Sequence, residues 1–210
     1  FYLLFGVLLG GKGGPVAAQY LLAGYGVFGV IGVALFGFGV TVALDREQGL
    51  LTLKRAQPMP PGAYLVAKMA MALLFAAIIL LLLAALAAGV AHVRLSAAQW
   101  GAWAATCLIG VLPFSALGLW LGTLVGGRGA PALINLVYLP MAFLSGLWVP
   151  LTMLPMLLQT LAPAWPAYHL AQVAQKVVGL DAGRPLLLHV AVLAGMTIVF
   201  FLLARRRLVR

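Results

Sequence analysis

Charged residues are scarce in this sequence, and acidic residues are the scarcest of all. Only 8% of the residues are charged and three are acidic, whereas soluble domains carry about 25% charged residues. Such a chain cannot cover a water-facing surface, and its 65% hydrophobic content points to lipid as its solvent. The single cysteine, Cys107, cannot form an intrachain disulfide, and we interpret it as a small packing residue.

The motifs of soluble enzymes and of nucleic-acid binders are also absent. The net charge is +10, but the bases lie at the ends of apolar runs and in loops, as they do in membrane proteins. Nucleic-acid binding would need a basic face on a folded soluble element. No G-x-x-x-x-G-K-[ST], H-E-x-x-H or G-x-S-x-G sequence occurs, and the three histidines are dispersed. We therefore expect the lipid bilayer and no nucleic acid as a partner, with no catalytic site, no metal site and no ATP site in this chain.

Long apolar runs predict an all-α polytopic membrane protein with six spans in a single transmembrane domain over residues 1–210. Complete spans are expected at about residues 18–44, 64–90, 100–125, 132–149 and 186–204. Residues 1–10 are expected to be the outer end of a partial first span. The glycines and proline of residues 11–15 predict a loop. Four prolines interrupt residues 150–178, which we expect to form short helices that dip into the outer leaflet and return.

Small and polar residues inside these runs predict particular helix contacts. A G-x-G-x-x-G sequence at residues 24–29 lies within a long apolar helix, so helix packing explains it better than nucleotide binding. Pro113 predicts a kink. Asn135 is expected to face other helices and bond across them, and His169 has no nucleophile or carboxylate that would pair with it. A packed face is predicted where glycines repeat every four residues, at Gly118, Gly122 and Gly126.

Most bases lie on one predicted side of the membrane. They fall in residues 45–68, at Arg128 and in the tail at residues 205–210, whereas the other side has fewer bases over a longer sequence. The positive-inside rule therefore places these segments, and both termini, in the cytosol.

The loop at residues 45–63 is the main polar interruption of the chain. Leu50, Leu53 and Ala56 recur every third residue with Leu51 beside them, and Pro58 ends the pattern. Polar faces are supplied by Glu47, Lys54, Arg55 and Gln57. This predicts a short amphipathic helix. Two interpretations stay open: a helix lying on anionic lipid at the inner leaflet, or a docking helix for a soluble cytosolic partner.

Two motifs carry a family resemblance. The first is Glu47-x-Gly49-Leu50-x-x-Leu53, followed by Pro58 and by Leu65-x-x-Lys68. The second is F-L-S-G-L-W-V-P at residues 143–150, followed by L-P at 154–155 and prolines at 163 and 166. In this order and spacing the chain resembles ABC-2 type ABC exporter permeases along nearly its whole length.

The resemblance implies a half-transporter in a bacterial plasma (inner) membrane. A second permease copy, most simply in a homodimer, and a cytosolic ABC ATPase that holds ATP and Mg would complete it. The loop helix would be the coupling helix, Lys68 would stand at the base of the next span, and the chain itself would not be an enzyme. The residues implied in coupling to the ATPase are Glu47, Gly49, Leu50, Leu53, Lys54 and Arg55. Those implied in the outer re-entrant motif are Ser145, Gly146, Pro150 and Pro155.

Function is thereby predicted to be export of an amphipathic or lipid-like substrate, such as a drug, an antibiotic, a lipid or a lipid-linked glycan. A secondary carrier is the first alternative, but Asp45, Glu47 and Asp181 all lie outside the predicted span interiors, where a carrier usually needs ionisable groups. A non-transporting membrane scaffold is the other alternative.

Overall fold

The computed structural model describes residues 2, 10–50, 63–180 and 183–209, and within these ranges every helix or strand assigned is a helix. Helices are what an apolar chain forms in lipid, because each then satisfies its backbone hydrogen bonds internally. In chain order they are α1 (Gly10–Leu35), α2 (Thr41–Glu47), α3 (Ala63–Gly89), α4 (Ala97–Ile109), α5 (Val111–Gly122), α6 (Ala130–Leu144), α7 (Met156–Leu161), α8 (Pro166–Val177) and α9 (Leu186–Val209).

The first long span joins α1 to α2 through a π-helical segment, Phe36–Val40. The predicted loop at residues 11–15 reduces to a kink at Gly14, whose φ of 71° breaks the helical backbone just before Pro15. At the other end the helix runs to Glu47 instead of ending at residue 44. The first three residues of the predicted loop are thus helical, and this difference decides where their side chains point.

Within the described ranges, four helical stretches are long and apolar enough to cross a membrane: Val16–Glu47, Ala63–Gly89, Ala97–Gly122 and Leu186–Leu208. The third is interrupted at Gly110, between α4 and α5, in the turn before Pro113, where a kink was predicted. Proline at 113 has no N–H for the carbonyl of Ile109, and its ring crowds that carbonyl. Six spans are not established: nearly all of residues 1–10 lie outside the described ranges, and α6 is shorter than these four helices.

Helix α6 ends at Leu144, five residues before the predicted limit of 149. Its end is set by Gly146, which adopts a φ of 75°, a conformation that side-chain-bearing residues rarely take. After it come short helices: a 3₁₀ turn at Leu151–Met153, α7, a 3₁₀ turn at Ala162–Ala164, and α8. The short helices predicted for residues 150–178 are therefore present, and the longest of them, α8, begins at Pro166.

Helix α1 forms the centre of the packing. Leu22, Val27 and Ile31 are fully buried there, against α3, α5 and α8. Helix α9 packs on α5, where the Trp120 and Phe200 rings lie 5.1 Å apart. On the outer surface of the helix bundle, apolar side chains are exposed, as at Leu187, which is 78% exposed. An apolar exterior around long helices suits a lipid environment.

Candidate functional site

The described chain is most strongly cross-linked by polar side chains where it enters and leaves residues 51–62. We call this the loop base: Thr41, Asp45, Arg46 and Glu47 on the first span, Tyr64 and Lys68 on α3, and the turn at residues 123–127 between α5 and α6. Because residues 51–62 lie outside the described ranges, the loop base is the part of the predicted coupling site that the structure describes.

One half of the loop base joins the first span to α3. The Tyr64 hydroxyl donates to Asp45 Oδ2 at 2.6 Å, and Lys68 Nζ lies 3.2 Å from the same oxygen. Lys68 also donates to the Thr41 hydroxyl at 2.6 Å. Asp45 and Lys68 are only about one-fifth exposed, with side-chain values of 19% and 18%. A charge pair so shielded, with additional hydrogen bonds, holds its geometry better than an exposed pair.

The other half joins the end of α2 to the turn after α5. Arg46 donates from Nη1 to the Thr123 carbonyl and from Nη2 to the Val125 carbonyl, each at 2.8 Å. The Glu47 carboxylate accepts a hydrogen bond from the backbone N–H of Gly127. A guanidinium suits the end of α5, because the last carbonyls of a helix carry partial negative charge and lack partners within it.

The predicted glycine stripe faces the first span. A Cβ on Gly118 would lie 2.9 Å from the Leu35 carbonyl oxygen, and one on Gly122 would collide with the backbone of Gly39. A Cβ on Gly126 would come 3.1 Å from the Glu47 carboxylate. The backbones of α5 and of the first span are therefore in direct contact, with the polar contacts of the loop base below them.

The remaining predicted coupling residues divide into two groups. Gly49 is exposed with a φ of 72°, so it ends α2, and Leu50 is half-buried beside it. Leu53, Lys54 and Arg55 lie outside the described residues. Their role as ATPase contacts stays a prediction.

The predicted outer motif is held against α1. The Tyr20 hydroxyl donates to the Gly146 carbonyl, and Ser145 beside it is buried. Pro150 precedes the first 3₁₀ turn and Pro155 precedes α7, positions where the missing N–H costs nothing. The motif thus shapes a turn and two helix starts within the described chain.

A buried histidine pair joins α8 to the start of α9, and no sequence pattern indicated it. His169 on α8 and His189 on α9 face each other with their Nδ1 atoms 2.9 Å apart, and they are 4% and 0% exposed. His169 Nε2 lies 2.9 Å from the Pro163 carbonyl oxygen, to which it donates. Burial favours the neutral form of both rings, and in that form His169 Nδ1 is the acceptor and His189 Nδ1 the donor. Sequence spacing could not signal the pair, because the two residues come from separate helices.

Asn135 was predicted to face other helices, but it faces none among the described residues of this chain. It is exposed on α6, beside Leu136 and Leu139, which are 72% and 44% exposed. The apolar face of α6 that packs inward carries Ile134, Tyr138 and Met141 instead. An amide on an open face has its partners, if any, outside this single chain.

The described helices and the apolar exterior define an integral membrane protein. Residues 1–178 match the family model for the ABC-2 type transporter, so the chain belongs to the ABC-2 type transporter family. The resemblance inferred from the two motifs is thereby confirmed. Among curated proteins, "Putative transport permease YvfS" of Bacillus subtilis (strain 168) is 28% identical over 191 residues, which cover 90% of this chain and 76% of that protein. The chain is a transporter permease subunit, of a family that works in general with an ABC ATPase.

Proposed function

We propose that this permease is the membrane half of an ATP-driven exporter that moves an amphipathic or lipid-like substrate out of the cytosol. A separate ATPase subunit binds ATP and Mg and drives it. An apolar interior, with the acidic side chains of the four long spans confined to Asp45 and Glu47 at the end of the first, suits such a substrate better than a free ion. The family membership supports the ATPase as a partner in general, and the direction of transport and the substrate class are our proposal.

The observation that carries the coupling role is the loop base. A loop that only lay on lipid would need no particular hold on the helices that flank it. Here Asp45 and Lys68 join the two flanking helices, and Arg46 extends the hold to α5. A force applied to the loop therefore reaches the spans through short, directed contacts, as coupling requires.

A second copy of the permease completes the proposed transporter. The open face of α6 supports this, because the Asn135 amide would find no hydrogen-bond partner in lipid but would find one on another protein surface. The charge distribution supports a cytosolic position for the loop base and for the basic tail at residues 205–210, and we propose a bacterial inner membrane as the location.

Co-purification with the ATPase tests the proposal. The variant Leu53→Asp places a charge where the coupling helix is predicted to fill an apolar groove, and Gln57→Ala is the matched control on the polar face. We expect Leu53→Asp to lower the yield of bound ATPase about tenfold or more, because burying an unpaired charge is costly. Gln57→Ala should leave the yield unchanged, and the native mass should correspond to two permeases with two ATPases. Wild-type yield and ATP-dependent transport with Leu53→Asp would refute the coupling role.

A secondary carrier is the second candidate, and the buried histidine pair is the observation that favours it. His189 lies within the last long span and is fully buried, as the proton site of a carrier would be. A substrate-dependent proton current in vesicles that contain the permease without any ATPase would support this candidate. ATP-dependent transport without such a current would exclude it.

A further inference from the structure

We propose that Arg46 and Glu47 are positioning residues that carry the movement of the coupling loop to the turn at residues 123–127, and so to α5 and α6. This rests on the proposed function and adds a second route to it. The route through the chain itself leads from the loop to its two flanking helices. The route proposed here leads from the same loop to helices that are separated from it by about eighty residues of sequence, since Glu47 and Gly127 are 80 positions apart.

The two routes start from different faces of one helical turn. Successive residues of an α-helix point about 100° apart. Asp45 therefore points towards α3, where Tyr64 and Lys68 hold it. Arg46 and Glu47 point towards the turn after α5. The last turn of α2 thus divides its contacts between two neighbours, and a displacement of this turn acts on both.

The contact with the turn is directed and close. Arg46 bridges two carbonyls with both arms of its guanidinium, and such a planar fork fixes orientation as well as distance. Glu47 binds the backbone N–H of Gly127 on the far side of the same turn. A Cβ on Gly127 would lie 2.5 Å from Leu44 Cδ2 and 3.0 Å from Leu44 Cα. The turn is therefore packed closely on α2.

A second contact makes the end of α2 and the end of α5 one unit. Gly122 is packed on the backbone of Gly39 in the π-helical segment, two turns before Glu47. Two separated contacts prevent α5 from pivoting about either one. Helix α6 starts at Ala130, and the Gly129 and Ala130 N–H groups both donate to the Gly126 carbonyl, so the start of α6 follows the turn.

Distance measurements between spin labels test the second route in the assembled complex. The first pair places one label at the exposed Arg128, directly after the turn, and the second pair places one label at the exposed Val66 on α3. The other label of both pairs is at the exposed Arg205 on α9. Each pair is recorded without nucleotide and with a non-hydrolysable ATP analogue. In the wild type we expect nucleotide to change both distances.

The variants separate the two routes. Arg46→Ala leaves the predicted ATPase contact of Glu47 in place, and it should reduce the change at residue 128 to less than half while the change at residue 66 remains. Glu47→Gln keeps an oxygen that accepts from the Gly127 N–H, so it should retain much of the change when Arg46 is present. Gln48→Ala is the matched control, because Gln48 is exposed on the same turn and its side chain makes no hydrogen bond among the described residues. ATPase co-purification and ATP hydrolysis report that each variant is folded and assembled.

The outcomes distinguish this inference from the proposed function. An unchanged movement at residue 128 in Arg46→Ala would overturn the inference and leave the coupling function standing. A loss of movement at both positions would also overturn it, because the two routes would then not be separate. If neither distance responds to nucleotide in the assembled wild type, the coupling function fails, and the inference fails with it.

Discussion

The two ends of this permease hold their helices together by different chemistry. At the loop base, charged side chains bind carbonyls, an N–H and each other, as Arg46 does at Thr123 and Lys68 at Asp45. At the outer end the contacts are neutral: the Tyr20 hydroxyl on Gly146, and His169 on His189. Charge-assisted bonds are shorter and more strongly directed than neutral ones. The loop base is thus the end where relative positions are fixed most strictly, which suits the proposal that this end receives a force from the ATPase.

Between these two ends, backbone contact fixes the spacing of the first span and α5. The variant Gly122→Ala tests how much the loop base depends on it. Its Cβ would collide with the backbone of Gly39, and backbone cannot rotate away as a side chain can. We expect the free energy of unfolding to fall by about 3 kcal/mol, at the upper end for an overpacked site. Thermal unfolding in detergent measures it.

Gly101→Ala is the control for this prediction. Gly101 lies within α4 and a Cβ there would meet nothing within 4 Å. Removing backbone freedom from a helix interior should leave stability unchanged or raise it by about 0.5–1 kcal/mol. Equal destabilisation by both variants would show that the contact between Gly122 and Gly39 is not what holds the two spans at this distance.

The charged contacts of the loop base can be tested by replacing Lys68. In Lys68→Met the mostly shielded Asp45 carboxylate keeps the Tyr64 hydroxyl but loses the Lys68 ammonium group. We expect the free energy of unfolding to fall by about 2 kcal/mol, between the values for exposed and fully buried pairs. Adding Asp45→Asn should recover about half of this loss, since the carboxylate charge that Lys68 balances is then removed as well. If the losses from Lys68→Met and from Asp45→Asn simply add in the double variant, the ion pair contributes nothing to the loop base.

Sequence patterns predict this fold better than they predict its contacts. Hydropathy and length are enough to locate the four long spans, because lipid requires about 20 apolar residues of any helix that crosses it. Pro113 was enough to predict a kink. The end of α6 was missed because Leu147 and Trp148 continue the apolar run, although the chain turns at Gly146. Hydropathy does not register the conformational freedom of one glycine.

The contacts at the loop base show a different limit. The glycine spacing at Gly118 and Gly122 indicates a close face, but it does not say which helix the face meets. Glu47 is predicted to act near an ATPase, and the structure adds a contact with a backbone N–H. A backbone donor has no signature in the sequence, so no pattern of side chains would reveal it. The histidine pair was missed for a related reason, because α8 and α9 meet only in the folded chain.

The stability contributed by the neutral histidine pair is expected to depend on pH, and this is the smallest of the predicted effects. Burial lowers the pKa of His169 from its ordinary 6.5, with Arg184 adding to the shift, and the hydrogen bond to Pro163 opposes it. Below pH 6.5 the unfolded chain therefore binds more protons here than the folded chain, and the free energy of unfolding falls as the pH is lowered. Besides Pro163 and His189, the Tyr168 ring also lies against this histidine, and Lys176 and Arg184 act on the pair electrostatically. We expect the thermal unfolding temperature to drop between pH 7.5 and 5.5, and His169→Gln to weaken that drop.

The exposed His92 provides the control, as His92→Asn should keep the wild-type pH dependence, with asparagine tolerating the φ of 50° at that position. An unfolding temperature that stayed constant or rose on acidification would show that this end of the molecule is not held by neutral histidines.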